Sequence, residues 1–153
     1  MISPDARIAK SKRGSKIEIG SGTQIFEFVV IKFVGGDGNI KFGENCYINP
    51  HCVLYSGNGI TLGNNVLLAP GCVLSGSDHN YSNKETPIKR QGHKKDSGIV
   101  IEDDVWIGAN SAIISPSHIH KGAVIAAGSV VKGDIPAYTV WGGNPIQFLK
   151  NRG

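Results

Sequence analysis

Residues 101–131 read IEDDVWIGANSAIISPSHIHKGAVIAAGSVV and contain five six-residue units without a break. Each unit begins with isoleucine, and the residue four positions later is small or β-branched. This spacing does not fit the 3.6-residue period of an α-helix. A six-residue period is typical of a short strand followed by a tight corner, so that three units close one triangular coil. The stretch therefore predicts a parallel β-helix in which successive coils stack about 4.8 Å apart.

The same pattern can be followed back toward the N-terminus. The bulky first positions are Ile19, Ile25, Phe42, Ile48, Leu62, Leu68, Ile101, Ile107, Ile113, Ile119 and Ile125, and the small partners are Thr23, Val29, Cys46, Cys52, Val66, Cys72, Val105, Ser111, Ser117, Ala123 and Ser129. We expect both sets to point inward, the small residues where a corner narrows the interior. Residues 17–134 leave room for about five coils, and residues 1–153 form a single domain.

Composition narrows the function classes. Hydrophobic residues make up 40% of the chain, which argues against disorder, and a net charge of +4 is too weak to indicate nucleic acid as a partner. No apolar run approaches the roughly 18 residues of a membrane span, and no secretory signal precedes the repeat. The three cysteines all fall on small inward positions, so neither a disulfide framework nor a cysteine metal site is expected. These features predict a cytoplasmic protein.

The repeat is interrupted once, by a long polar loop at about 75–98 with the sequence SGSDHNYSNKETPIKRQGHKKDSG. Loops of this length inside a compact fold are usually functional or disordered. The loop opens with Asp78, His79 and Asn80, where a rigid prism would hold a histidine in a fixed direction, as a general base requires. A solvated histidine flanked by turn-forming residues is the simpler alternative. After the last repeat, Asn144-Pro145 followed by IQFLKNR predicts a short C-terminal helix over 144–152 that covers the end of the prism.

From about Leu62 to Lys150 the sequence resembles the hexapeptide-repeat acetyltransferases, whose fold is a left-handed parallel β-helix. The resemblance rests on four segments, which read ITLGNNVLLAPGCVL, SDHN, IVIEDDVWIGANSAIISPS and GAVIAAGSVVKGDIPAYTVWGGNPIQFLK. It extends to the galactoside, maltose and virginiamycin acetyltransferases and to the sugar O-acetyltransferases of polysaccharide clusters.

The resemblance implies that His79 is the general base in a direct transfer from acetyl-CoA to an acceptor hydroxyl, without a metal ion. It places Asp78, Asn80 and Trp106 beside the acceptor. It also places a group of residues along CoA, namely Trp106, Ala109, Ala127, Lys132, Lys150 and Arg152, of which the last three lie near the nucleotide end. Trp106 is equally consistent with packing on an outer face, and the lysines with simple solvation. The family forms homotrimers with the CoA cleft between two prisms.

The favoured acceptor is a sugar hydroxyl, in the assembly of a surface polysaccharide. N-acetylation of an amino sugar and acetylation of an antibiotic are the alternatives within the enzyme class. A γ-type carbonic anhydrase would need a zinc site, and the candidate ligands are His51, His79, His93, His118 and His120, but the paired histidine spacing of that family is absent. A non-catalytic β-helix scaffold is the remaining class.

Overall fold

Short strands separated by tight corners make up almost the whole chain, and the computed structural model describes all residues 1–153. The strands are β1 (Arg7–Ile8), β2 (Ile17–Ile19), β3 (Gln24–Ile25), β4 (Val30–Lys32), β5 (Ile40–Phe42), β6 (Tyr47–Ile48), β7 (Val53–Tyr55), β8 (Ile60–Leu62), β9 (Leu67–Leu68), β10 (Val73–Ser75), β11 (Ile99–Ile101), β12 (Trp106–Ile107), β13 (Ala112–Ile119), β14 (Val124–Ile125), β15 (Val130–Ile135), β16 (Thr139–Gly142) and β17 (Gln147–Asn151). One 3₁₀ turn, Ile88–Arg90, lies in the long loop.

The strands stack into the three faces of a left-handed parallel β-helix, as the repeat predicted. Face 1 consists of β3, β6, β9, β12, β14 and β16. Face 2 consists of β1, β4, β7, β10 and the first parts of β13 and β15, and face 3 of β2, β5, β8, β11 and the second parts of β13 and β15. β13 and β15 run round the corner between these two faces, which is why faces 2 and 3 join in one sheet.

The interior is filled by the inward positions that the hexad pattern identified. All eleven small residues and ten of the eleven bulky ones are buried, and Ile19, near one end of the stack, is half-buried. Polar side chains at the small positions are tolerated because they reach backbone carbonyls at the corners. The hydroxyl of Thr23 donates to the carbonyl of Gly43 at 2.8 Å, and that of Ser129 to the carbonyl of Ala126 at 2.6 Å.

Tight corners depend on residues that accept a left-handed backbone. At the corner between faces 3 and 1, Asn45, Asn65 and Asp104 have φ values of 55°, 58° and 58°. Asparagine and aspartate adopt this conformation more readily than other side chains. Gly108 has a different role, because a Cβ there would overlap the backbone of Ala127 in the next coil. The glycine permits the close stacking that the sequence predicted.

The coils extend beyond the predicted range 17–134. β1 pairs in parallel with β4, so the basic N-terminal stretch forms part of the first coil. Its strand was missed because outward cations surround the single half-buried Ile8. At the other end β16 stacks on β14, so the parallel stack continues to Gly142.

The predicted C-terminal helix over 144–152 is wrong. Gln147–Asn151 form β17, which pairs antiparallel with β16, and the ring of Phe148 meets Trp141 edge-on at a centroid distance of 5.8 Å. The last coil exposes a row of unpaired backbone groups, and an antiparallel strand satisfies them directly. A helix of two turns would leave those groups open and has an unfavourable nucleation step. No helix in the chain is long and apolar enough to cross a membrane.

Candidate active site

The long loop leaves the prism after Ser75 and returns at Ile99 without disturbing the stack. Ile99 pairs with Ile60 on β8, as though the chain had passed directly from face 2 to face 3. Residues 76–98 therefore project from the corner between these faces. The loop is an insertion on a support whose geometry does not depend on it.

Asp96 fixes the returning end of the loop. One oxygen of its carboxylate accepts hydrogen bonds from the hydroxyl of buried Ser115 at 2.5 Å, the amide of Gly98 at 2.8 Å and the side-chain amide of Asn58 at 3.1 Å. The same Asn58 amide donates to the carbonyl of Lys94 at 3.0 Å. These bonds hold the loop at its base.

A short antiparallel pairing across the base of the loop positions His79. The amide of Asn80 donates to the carbonyl of Gly92 at 3.0 Å, and the amide of Lys94 to the carbonyl of Asp78 at 2.8 Å, with His79 paired to His93 between them. The two imidazole rings lie 4.4 Å apart and tilted by 42°. The backbone of His79 is thus held, while its ring is exposed rather than buried among apolar groups.

The imidazoles open onto a groove of about 470 Å³ between the loop and face 2. Its lining is mostly polar and consists of Lys32, Val34, Gly35, Tyr55, Ser75, Ser77, Asp78, His79 and His93. Hydroxyl, imidazole, carboxylate and ammonium groups in one groove suit a ligand with several hydroxyls. Asp78 also lies 3.4 Å from the ammonium of Lys132 on β15, two coils further along, so its charge is partly balanced.

The second imidazole, His93, has a weakened proton affinity. Partial burial, followed by the nearby charges of His79 and Arg13, lowers the pKa of His93 below its ordinary value of 6.5.

A second groove continues from the first along the N-terminal coil. Both are lined by Lys32, Val34 and Gly35, and the second adds Lys10, Lys12 and Arg13 without any carboxylate. The guanidinium of Arg13 donates to the carbonyl of Gly36 at 3.1 Å, which fixes it at the rim. The continuous surface is therefore polar near His79 and cationic farther away.

Four of the residues predicted to contact CoA lie together on face 1 and its corner with face 2. Ala109 and Ala127 occupy equivalent positions on adjacent coils, where the amide of Gly128 donates to the carbonyl of Ala109 at 2.8 Å. Trp106 projects from β12 with half of its surface exposed, and Lys150 lies on β17, three strands along the same sheet. At the normal strand spacing, Trp106 and Lys150 are therefore about 14 Å apart.

The other two predicted cations lie elsewhere. Lys132 is on face 2 beside Asp78, which lines the groove. The guanidinium of Arg152 donates to the carboxylate of Asp104 at 3.0 Å and to the carbonyl of Gly122 at 2.8 Å, so it ties β17 to the corner between faces 3 and 1. Within one chain, Lys132, Lys150 and Arg152 do not form a single phosphate site.

The sequence prediction missed several lining residues of the groove. Lys32, Tyr55 and Ser75 lie on adjacent strands at the same outward register, where Lys32 pairs with Tyr55 and Tyr55 with Ser75. Their spacing of one coil could have revealed this column. His93 and Gly35 carry no comparable signal, because their position depends on how the loop folds back.

The chain matches the family model described as bacterial transferase hexapeptide (six repeats) over residues 98–133. It is 33% identical over 112 residues to the galactoside O-acetyltransferase of Escherichia coli. The aligned region covers 73% of this chain and 53% of the relative. The chain spans between about a third and two thirds of the length of the curated relatives it matches.

Two solved structures extend the similarity. An N-acyltransferase from Bacillus cereus, in complex with dTDP and coenzyme A, superimposes with a TM-score of 0.83 at 23% identity, over 99% of this chain and 80% of the other, and shows the fold alone. A hexapeptide-repeat acetyltransferase from Vibrio cholerae, complexed with acetyl-CoA, has a TM-score of 0.77 at 31% identity over 88% of this chain and 70% of the other. With this identity and coverage, the chain belongs to the hexapeptide-repeat acetyltransferase family.

Proposed function

We propose that the protein transfers an acetyl group from acetyl-CoA to a hydroxyl of a saccharide, with His79 as general base. The observation that carries the proposal is an exposed imidazole whose backbone is fixed on both sides and which opens into a groove lined by polar groups. A general base needs a fixed orientation toward its substrate and a pKa near neutral pH. The sequence resemblance and the groove geometry both support His79 as the base.

The reaction needs no covalent enzyme intermediate. A ring nitrogen of His79 takes the proton of the acceptor hydroxyl as its oxygen attacks the thioester carbonyl. The tetrahedral intermediate collapses with cleavage of the carbon–sulfur bond, and the imidazolium returns the proton to the CoA thiolate. The products are the acetyl ester and free CoA. Much of the acceleration comes from the two substrates being held in position on a rigid support.

The catalytic assembly is proposed to be a homotrimer. His79 lies at the edge of face 2 next to face 3, whereas Ala109 and Ala127 lie at the opposite edge, next to face 1. One hexad side separates these edges, on the order of 15–20 Å. A CoA molecule bound along the edge that carries Ala109 and Ala127 would therefore lie closer to His79 of a neighbouring prism than to His79 of the same prism. Closed rotational symmetry would then give equivalent sites between chains.

The CoA cleft is proposed to follow Trp106, Ala109 and Ala127 toward Lys150. Small side chains at the corner leave room for the pantetheine arm to approach the backbone, and the indole offers a flat apolar wall. Lys150 forms no ion pair within the chain, so its ammonium is available to a phosphate. Arg152 is assigned a structural role instead, and Lys132 is assigned to the acceptor side.

A sugar hydroxyl is preferred over an amine as the acceptor. The Escherichia coli relative is by name a galactoside O-acetyltransferase and is 33% identical, whereas the likeness to the N-acyltransferase, at 23% identity, supports only the fold. Acetylation of an amino sugar is the second candidate, because relatives of the chain also include an N-acetyltransferase, at 40% identity over 59% of this chain. A role in surface polysaccharide assembly remains a proposal that rests on the family resemblance.

The deciding experiment is a thiol-release assay with acetyl-CoA against a panel of sugars, nucleotide sugars and their amino counterparts. We expect turnover with a hydroxyl acceptor, and a loss of about 100-fold or more in kcat for His79→Ala with CoA affinity retained. His120→Gln is the matched control, since His120 is also accessible to solvent but lies on face 3, away from the groove and from the corner that carries Ala109 and Ala127. Unchanged turnover in His79→Ala would refute the proposed base, and activity confined to amines would select the second candidate.

A further inference from the structure

Face 3 carries a cluster of side chains that the acetyl transfer does not use. Glu102 follows β11, and His118 and His120 lie two residues apart at the end of β13, one coil further along. Because Ile119 between them is buried in the interior, both imidazoles project outward from the same face. The amide of Glu102 donates to the carbonyl of Ile119 at 2.9 Å, so Glu102 lies at the end of the strand next to the two histidines.

The three side chains converge on one point. A single oxygen of Glu102 lies 2.7 Å from Nε2 of His118 and 3.1 Å from Nδ1 of His120. One nitrogen or oxygen from each residue lies within 4.8 Å of the others. Ligand atoms of a tetrahedral zinc ion, at bonds of about 2.1 Å, are separated by about 3.4 Å. Small side-chain movements would therefore bring this set to the spacing of a metal site.

The carboxylate is oriented by a group outside the cluster. The second oxygen of Glu102 accepts a hydrogen bond from the backbone amide of Lys121 at 2.8 Å, which leaves the first oxygen directed at the histidines. Outer hydrogen bonds of this kind orient metal ligands.

We propose that Glu102, His118 and His120 bind one divalent transition-metal ion, of the class that prefers imidazole ligands. The two rings are stacked with their centroids 3.9 Å apart, so a nitrogen of each ring lies beside the same carboxylate oxygen. All three side chains keep between 34% and 40% of their surface exposed, so the ion can enter and its remaining positions stay open to water.

The choice of ion follows from the ligand set. Two imidazoles and one carboxylate suit zinc, nickel and copper, and among divalent first-row ions affinity rises from cobalt through nickel to copper. Magnesium and calcium prefer oxygen ligands in larger number, so neither is expected to bind. The site lies on face 3, away from the face 2 groove that contains His79, and the proposal does not depend on acetyl transfer.

The test is calorimetric titration of the untagged, chelator-treated full chain with zinc chloride at neutral pH. We expect one ion per chain, no binding of magnesium, and copper bound more tightly than nickel and nickel more tightly than cobalt. The double variant His118→Gln, His120→Gln should lose at least about 100-fold in affinity, and Glu102→Gln at least about tenfold. Circular dichroism of each variant checks that the prism is intact, and Glu102→Gln keeps the test valid should the double variant unfold.

Two further histidine variants separate this cluster from other sources of binding. His93→Gln removes a ring from the His79 pair, and His51→Asn removes an exposed histidine that stacks on Phe28, so both variants should bind zinc like the unaltered chain. Absence of zinc binding in the unaltered chain overturns the proposal. So does binding that survives the double variant or disappears in His93→Gln.

Discussion

Asp96 in the long loop accepts a hydrogen bond from the hydroxyl of Ser115, a fully buried residue at the corner of the next coil. This contact connects the segment that carries the candidate base to the rigid interior of the prism. Two further bonds to the same carboxylate oxygen come from Gly98 and Asn58. The position of His79 therefore depends on a side chain that lies far from the ring itself.

Asp96→Asn is expected to loosen the loop. An amide cannot accept three donors as well as a carboxylate, and hydrogen bonds to charged groups stabilise by about 1.5–3 kcal/mol each. We expect a loss of about 1–3 kcal/mol in the free energy of unfolding and faster tryptic cleavage within residues 84–95. Urea denaturation and timed proteolysis measure the two effects. Asp37→Asn is the control, because the carboxylate of Asp37 makes no hydrogen bond, and equal cleavage rates in both variants would contradict the anchoring role.

Ala123→Leu tests the small inward positions. Ala123 is fully buried where the corner narrows the interior, so a leucine must displace its neighbours. Overpacking of this kind destabilises by about 1–3 kcal/mol. Thermal or chemical denaturation should show the loss, whereas Ala137→Leu, at an exposed position, should unfold like the unaltered protein. A stable Ala123→Leu variant would mean that the corner has spare room.

Lys150→Gln and Arg152→Gln distinguish two cations that are close in sequence. Loss of Lys150 should raise the KM for acetyl-CoA but not for the analogue that lacks the 3′-phosphate. Loss of Arg152 should leave both KM values unchanged and lower stability by less than about 1 kcal/mol, because its bond to Asp104 is exposed to solvent. Steady-state kinetics with the two thioesters decides between them. A phosphate-dependent rise in KM for Arg152→Gln alone would reverse the assignment.

His93 should titrate below pH 6.5. Since its folded-state pKa is lowered, protonation favours the unfolded chain, and the stability linked to this group is present above pH 6.5 and lost as pH falls through the folded-state value. Replacing His79 by asparagine removes one of the two charges that lower the pKa of His93, although burial, the largest cause, remains. We expect NMR titration to show a partial return of that pKa toward 6.5, with no change in His51→Asn. A pKa unchanged by His79→Asn would show that the rings are not coupled.

The three thiols should be inert in the native protein. Cys46, Cys52 and Cys72 are fully buried, and burial raises the pKa of the Cys46 thiol. A buried thiol supplies little thiolate, which is the reactive form. Ellman's reagent should therefore label none of them until denaturant is added, and then all three. Rapid labelling of the folded chain would show that the coils open locally.

The sequence predicted the prism well because its signal is repeated. Each inward residue such as Ile107 or Ala123 is one instance of a rule that holds on every coil, so errors at single positions do not matter. The two ends were predicted less well for the same reason. β1 and β17 each occur once, and their pairing is decided by the unpaired edge that each one covers rather than by a repeated pattern.

The candidate site was predictable only in part. The segment containing His79 interrupts the repeat and carries the family resemblance, so the base could be proposed from the sequence. The lining contributed by His93 and Gly35 follows from the path of a loop with no periodicity. Likewise, the sequence did not show that Arg152 pairs with Asp104, because the two residues are far apart along the chain and meet only in the folded structure.

The pairing of Ile99 with Ile60 across the inserted loop has an evolutionary consequence. The coils stack in the same way whatever the length and sequence of the segment between Ser75 and Ile99, provided that both of its ends lie at the same corner. New recognition segments can thus be exchanged at this position while the folding information stays in the repeats. Mutations in this loop can therefore change which ligand is bound without changing whether the coils fold. A chimaera with a foreign hairpin at this position should still form the buried interior of the prism.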